Sequence, residues 1–176
     1  EQIGIPRNPD FNGASQEGAG YYQLTTRNGL RVSSAKAFLR PALKRSNLTL
    51  MTQAMAETLL FEGHRVTGLR LRVEGALREV QARGEVILAA GAINSPHLLQ
   101  LSGIGPSAVL KAAGITPRID LPGVGENLQD HYQVRHVLKA KYPITLNDQM
   151  RRLTGRLGIG LDYLLRRRGP LTISAG

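Results

Sequence analysis

The sequence predicts an α/β fold, and three features carry that prediction. Short apolar segments separated by Glu-Gly turns fill Leu48 to Ala82. They are followed by the unbroken apolar run VILAA, Val86 to Ala90, and then by Ser95-Pro96, a serine cap with proline at the first helical position. Alternation marks half-buried strands, whereas a strand apolar on both faces belongs to a parallel sheet covered by helices. An α/β core carrying a β-meander accounts for all three, with α+β character overall.

Taken in order, Glu1 to Gly20 is rich in Gly, Asn and Pro without periodicity and reads as a surface loop. SSAKAFLRPALKR reads as a helix capped by Ser33 or Ser34, with Ala35, Phe38, Leu39 and Leu43 near helical spacing and Pro41 implying a kink or early stop. The meander strands are expected over Leu48–Phe61, Val66–Val73 and Leu77–Ala82, with turns at Glu62-Gly63 and Glu74-Gly75. A helix starting at Ser95 and a second from Ser107 to Ala113, closed by Gly114, follow the buried strand. A Pro- and Gly-punctuated connection leads to the strand-like VRHVLKAKY and a basic amphipathic helix from about Met150 to Arg167.

Composition bounds the chemistry. The 176 residues are 41% hydrophobic and 20% charged, which suits a folded domain and argues against disorder. With no cysteine, a disulfide framework, a thiolate nucleophile and cysteine-ligated metal sites are excluded. No window approaches the apolar length of a spanning helix, and no secretory leader pattern is visible. The chain does not begin with methionine, and the expectation is an internal segment of a longer protein. Its net charge of +10 is unevenly placed. From Met51 to Gln100 five basic residues face five acids, whereas from Arg135 to Arg168 nine face two. Such a segment suits nucleic acid, an anionic membrane surface, or simply a solvated helix face.

The stretch GAINSPHLLQLSGIG, Gly91 to Gly105, admits three readings. GIGPSA at Gly103–Ala108 is close to a dinucleotide fingerprint with Asp120 downstream, but that motif needs a strand before its first glycine, and SPHLLQLS is helical in pattern. LLQLSGIGPSAVLKAAGI has the helix, Gly-apolar-Gly, helix pattern of a nucleic-acid-binding hairpin. Against it, only Lys111 supplies a cation between Leu98 and Ile115. The third reading takes in the neighbours. EVILAAGAINSPHLLQLSGIGP resembles the second signature of the glucose-methanol-choline oxidoreductases, matching at Gly91, Ala92, Ser95, Pro96, Leu98, Leu99, Ser102, Gly103, Ile104 and Gly105. DLPGVGENLQDH after it and NGLRVSSAKAFLRPALKRSNLTLMTQA before it extend the likeness over most of Gly20 to His131, and its general look is choline dehydrogenase-like.

That resemblance implies FAD as cofactor and a Rossmann-like FAD-binding domain joined to an antiparallel-sheet substrate domain. Residues 1–131 would be the middle of the former and 132–176 the start of the latter. It implies cofactor contacts at Ala90, Gly91 and Ala92, where the strand end passes the FAD, and at Ala56, whose backbone would meet the adenine. Gly91 also suits a plain strand-to-helix turn. The implied activity is oxidation of a primary alcohol, choline being one candidate, by hydride transfer to flavin. A quinone or oxygen would be the electron acceptor. The family's amino-terminal GxGxxG and carboxy-terminal catalytic histidine have no counterpart here, so no catalytic residue is assigned and the segment alone is expected to be inactive and to bind FAD poorly.

Histidines 64, 97, 131 and 136 are formal candidates for a base, because imidazole titrates near neutral pH. Their spacing gives no metal pattern, and Asp130 is a natural hydrogen-bond partner for His131. Leu153, Leu157, Leu161, Leu164 and Leu165 form an apolar stripe among arginines, suited to packing against another part of the protein or to peripheral membrane contact. The expected location is cytoplasmic or peripheral to the inner membrane, with no nucleic acid as partner.

Overall fold

The computed structural model describes residues 4–134, 137, 139 and 141–172. In chain order its elements are β1 (Thr26–Arg27), β2 (Leu30–Arg31), a π-wound turn (Ala35–Leu39), α1 (Arg40–Ala42), β3 (Ala54–Glu62), β4 (Arg65–Val73) and β5 (Ala76–Gln81). Then come α2 (Gly91–Leu101), β6 (Ile104–Gly105), α3 (Ser107–Ala112), β7 (Ile119–Asp120), α4 (Leu146–Arg151), α5 (Leu153–Arg166) and a 3-10 turn (Pro170–Thr172). Two compact units form, Thr49–Arg135 and Glu1–Leu48 with His136–Gly176.

Within the unit Thr49–Arg135, β3, β4 and β5 form the expected antiparallel meander. Its turns are sharp because Gly63 (φ +57°), Glu74 (+50°) and Gly75 (+85°) adopt the left-handed region. The first strand starts at Ala54 rather than Leu48, since Gln53 at φ +52° breaks the extended chain just before it. Leu59 and Leu71 face α2 and its neighbours, and with Leu98, Ile104, Leu110 and Val124 they make the core. Arg118 closes one side by stacking on Phe61, 4.6 Å from the ring centroid.

The run Val86–Ala90 corrects the expectation of a buried parallel strand. It pairs with no strand among the described residues, and Ile87 is 77% exposed. An apolar run of this kind needs strands on both edges and helices on both faces, and the described residues do not supply the strands. Among the named strands the parallel pairing is instead the short β6–β7 ladder, Ile104 opposite Ile119 and Gly105 opposite Asp120.

Helix α2 begins four residues before the expected start, at Gly91, with Pro96 inside it. Gly91 at φ +87° turns the chain directly into the helix, and Ser95 reaches back so that its Oγ accepts the Ala90 N–H at 3.0 Å. Helix α3 ends as expected at Gly114 (φ +74°). The Ile115 N–H donates to the Leu110 carbonyl and the Gly114 N–H to that of Lys111, the paired bonds of a Schellman stop.

In the other unit, buried Asn8 organises the amino-terminal loop by donating to the Ser15 and Glu17 carbonyls and accepting from the Asp10 N–H. Asn28-Gly29, both at positive φ, turn a small β1–β2 hairpin. Ser33 caps the next helical segment through the Lys36 N–H, and Pro41, lacking an N–H for Ala37, coincides with π winding just before it. The basic helix is two elements, α4 and α5, broken at Arg152 (ψ +136°). The Thr145–Asp148 capping box starts the first, and Gly155 lets the second fold close over the Gln149 carbonyl, where any side chain would collide. Helix α5 shelters Gly155, Ile159, Asp162 and Tyr163 while its leucine stripe faces outward, Leu153 71% and Leu165 80% exposed. The strand-like segment around His136 falls partly outside the described residues, as does His136 itself.

Candidate functional site

Strand β3 is an edge strand, so alternate backbone N–H and C=O groups along it face away from β4. A bulge interrupts its ladder. Pairing passes from Ala56–Leu71 to Thr58–Arg70, leaving Glu57 as the extra residue, and Arg72 Nε donates to the Glu57 carboxylate at 2.7 Å. Bulges re-aim the chain around them, and here the re-aimed stretch faces α2.

Between them lies a cleft of about 670 Å³. Ala54, Met55, Ala56 and Glu57 line it from the strand, and Ala90, Asn94, His97, Leu98 and Leu101 from the helix side. Ala56 and Ala90, far apart in sequence, thus meet in one cleft. Ala92 lines a different groove, between α2 and the loop from Gly123 to Gln129, and Gly91 lines neither. His97 borders both. Nothing in the sequence alone marks Asn94 or His97 as facing Ala56; the signal is visible only once α2 is known to begin at Gly91.

Alanine methyls on both walls keep the cleft open, while the Glu57 carboxylate, the Asn94 amide and the His97 imidazole give it polar edges. Such a site can take a flat ring with hydrogen-bonding groups on its rim. Gly91 is the residue whose backbone demands glycine, at φ +87°, and no atom of the chain lies within 4 Å of where its Cβ would stand. The backbone of Gly91 is therefore open to close approach from that side.

Among the described residues the histidines are not brought together. His64 lies in the β3–β4 turn and His131 is exposed. Asp130 does accept a hydrogen bond from His131, but from its backbone N–H at 2.7 Å and not from the imidazole.

The glycine motif Gly103-Ile104-Gly105 belongs to packing, which removes both the fingerprint and the nucleic-acid hairpin readings. All three residues are buried. The Gly103 N–H donates to Gln100, its carbonyl accepts from Arg118 and Ile119, and the Gly105 carbonyl accepts from Leu121. Gln100 reaches past Gly105 and Gly125 to donate to the Val124 carbonyl at 3.2 Å, over positions where a Cβ would stand 3.1 and 2.9 Å from its side chain. With the Gly103 N–H paired and all three residues buried, the turn does not present its amides to a phosphate.

Comparison with known proteins identifies the family. The oxygen-dependent choline dehydrogenase of Staphylococcus saprophyticus is 46% identical over 168 residues, 96% of this chain and 30% of that protein. The chain thus spans about 30% of the length of the curated relatives it matches. Pyridoxine 4-oxidase from Mesorbium loti matches in structure with a TM-score of 0.64 and 40% identity, over 69% of this chain and 24% of that one. An FAD-dependent oxidoreductase from Chaetomium thermophilum matches with a TM-score of 0.70 and 27% identity, over 83% and 26%. A family model for GMC oxidoreductases covers residues 1–133, so the chain belongs to the GMC oxidoreductase family.

Proposed function

We propose that this chain is the middle segment of an FAD-dependent oxidoreductase that oxidises a small primary alcohol, with choline the first substrate to test. Ala56 and Ala90 on opposite walls of one cleft are the observation that carries this reading, together with family membership and the choline dehydrogenase relatives. FAD, when bound, accepts the hydride from the alcohol carbon. The chain's own residues hold its adenine end. The β3 edge at Ala56 offers backbone groups to the ring, Asn94, His97 and Ala90 line the same space, Gly91 leaves its backbone open to close approach, and Ala92 lies on the neighbouring groove. Residues 1–131 fall to the FAD-binding domain and 132–176 to the start of the substrate domain. Oxygen or a quinone would reoxidise the flavin. Purified complete protein should carry flavin absorbance that bleaches when choline is added without oxygen; a colourless protein that takes up no FAD overturns the proposal.

A second surface belongs to the same reading. Five outward leucines on α5, with Arg151 and Arg152 before them and Arg166 to Arg168 after, suit an anionic membrane surface. Among the described residues no helix is long and apolar enough to cross a membrane, so any such contact would be peripheral.

A further inference from the structure

Ser102 follows the last residue of α2, and its hydroxyl bridges two elements. Its Oγ accepts the Leu59 N–H at 2.9 Å and donates to the Leu98 carbonyl at 2.6 Å. Among the described residues this is the hydrogen bond that joins β3 to the helix end. Both bridged groups belong to core residues, Leu59 being 7% and Leu98 6% exposed, so water is a poor substitute for the hydroxyl.

The bridge lies at one end of the cleft. Leu98 and Leu101 line that end, Ala90 stands at the far end of the helix, and Ala56 lies three residues before Leu59, across the Glu57 bulge. An eleven-residue helix anchored at its last turn swings most at its first turn, where the cleft wall carries Ala90 and Asn94. We propose that Ser102 is a positioning residue for the cofactor: by tying the β3 edge to the end of α2 it sets the width of the cleft between Ala56 and Ala90. The proposal rests on the reading that this cleft takes the adenine end of FAD.

The test uses the complete protein, freed of flavin and titrated with FAD by fluorescence and with ADP as a competitor carrying only the adenine half. Ser102→Ala raises the Kd for FAD about tenfold, the scale of one lost hydrogen bond, and weakens ADP in proportion. Ser102→Thr, which keeps the hydroxyl, restores both to within about twofold. Ser102→Cys keeps the size, weakens both bonds and gives an intermediate Kd, which decides the matter should the alanine variant not fold. Ile104→Val serves as control, because Ile104 is buried in the same unit but does not line the cleft. It lowers thermal stability and leaves the Kd unchanged. Wild-type affinity in Ser102→Ala or Ser102→Cys overturns the proposal, as does equal weakening by Ile104→Val at matched loss of stability. Failure of the wild-type protein to bind FAD would instead overturn the functional reading.

Discussion

The backbone N–H of Ser107 donates to Asp120 Oδ1 at 2.9 Å, so the carboxylate that ends β7 caps the helix that follows β7's parallel partner, β6. The bond from the Ser107 backbone, with its hydroxyl nearby, holds the Asp120 carboxyl below its ordinary value of 3.8 against an opposing effect of desolvation, and the charge of Lys111 adds a smaller push in the same direction. A carboxyl lowered in the folded state favours folding fully above its unfolded value, and that contribution disappears as pH falls through the folded one. Asp120→Asn should therefore melt below wild type at neutral pH, with a gap that is level above about pH 5 and closes in more acid solution. A gap independent of pH would show that charge on Asp120 contributes nothing to the cap.

Gly103 and Gly91 have nearly the same backbone angle, φ +82° and +87°, but different surroundings. A Cβ on Gly103 would stand 2.8 Å from the Thr116 carbonyl oxygen, whereas one on Gly91 meets nothing within 4 Å. Gly91→Ala should cost roughly 1–2 kcal/mol from left-handed backbone strain alone. Gly103→Ala adds displacement of the β6–β7 connection and should cost about 3 kcal/mol or more. Denaturant midpoints of the two variants check the order, and equal losses would show that the Thr116 contact yields freely.

These glycines also show what was legible in the sequence. Meander, turns and the α3 stop are local, set by alternation and by Gly63, Gly75 and Gly114, and apart from the first strand, which starts at Ala54 and not at Leu48, each appears within a residue or two of its expected place. The family is legible too, because its signature is a contiguous string. Less legible were features decided by distant partners. Ser95-Pro96 looks like a helix start because cap and proline sit in the usual order, yet the Ser95 hydroxyl serves Ala90 from inside the helix. Nothing local foretells that Gly155 must clear the Gln149 carbonyl, and so one basic helix was expected where two stand. Val86–Ala90 reads as a buried strand because it is apolar throughout, a property that states a need for neighbours without supplying them. The cleft itself depends on the bulge at Glu57 and on where α2 begins, neither of which composition reveals.

The outward stripe of α5 makes its own prediction. Leu157 and Leu161 are 57% and 55% exposed, on the side of the helix away from its half-buried residues Ile159, Asp162 and Tyr163, so acidic replacements there should leave folding intact. If the stripe rests on a membrane surface, the complete protein floats with vesicles containing anionic lipid, and Leu157→Asp with Leu161→Asp abolishes that. Neutral vesicles or raised salt should weaken it, because the flanking arginines act by charge. Protein that stays in solution with anionic vesicles would mean that another part of the protein covers the stripe.

The cleft makes the sharpest demand on single side chains. Ala90 stands on one wall and Ala56 on the other, and neither is deeply buried, so enlarging either costs the fold little while filling the space between them. Ala90→Leu and Ala56→Leu should each weaken FAD binding by about tenfold or more, the cost of about 1.4 kcal/mol, with melting of the flavin-free protein shifted only slightly. Ala56→Val is the discriminating case. If recognition at that position runs through the backbone of β3, a β-branched residue that favours extended chain keeps the amide and carbonyl where they are and binds FAD as wild type does. If instead the methyl of Ala56 packs directly on the ring, valine weakens binding nearly as much as leucine. Isothermal titration of the flavin-free variants distinguishes the two, and unaltered affinity in both leucine variants would place the cofactor elsewhere.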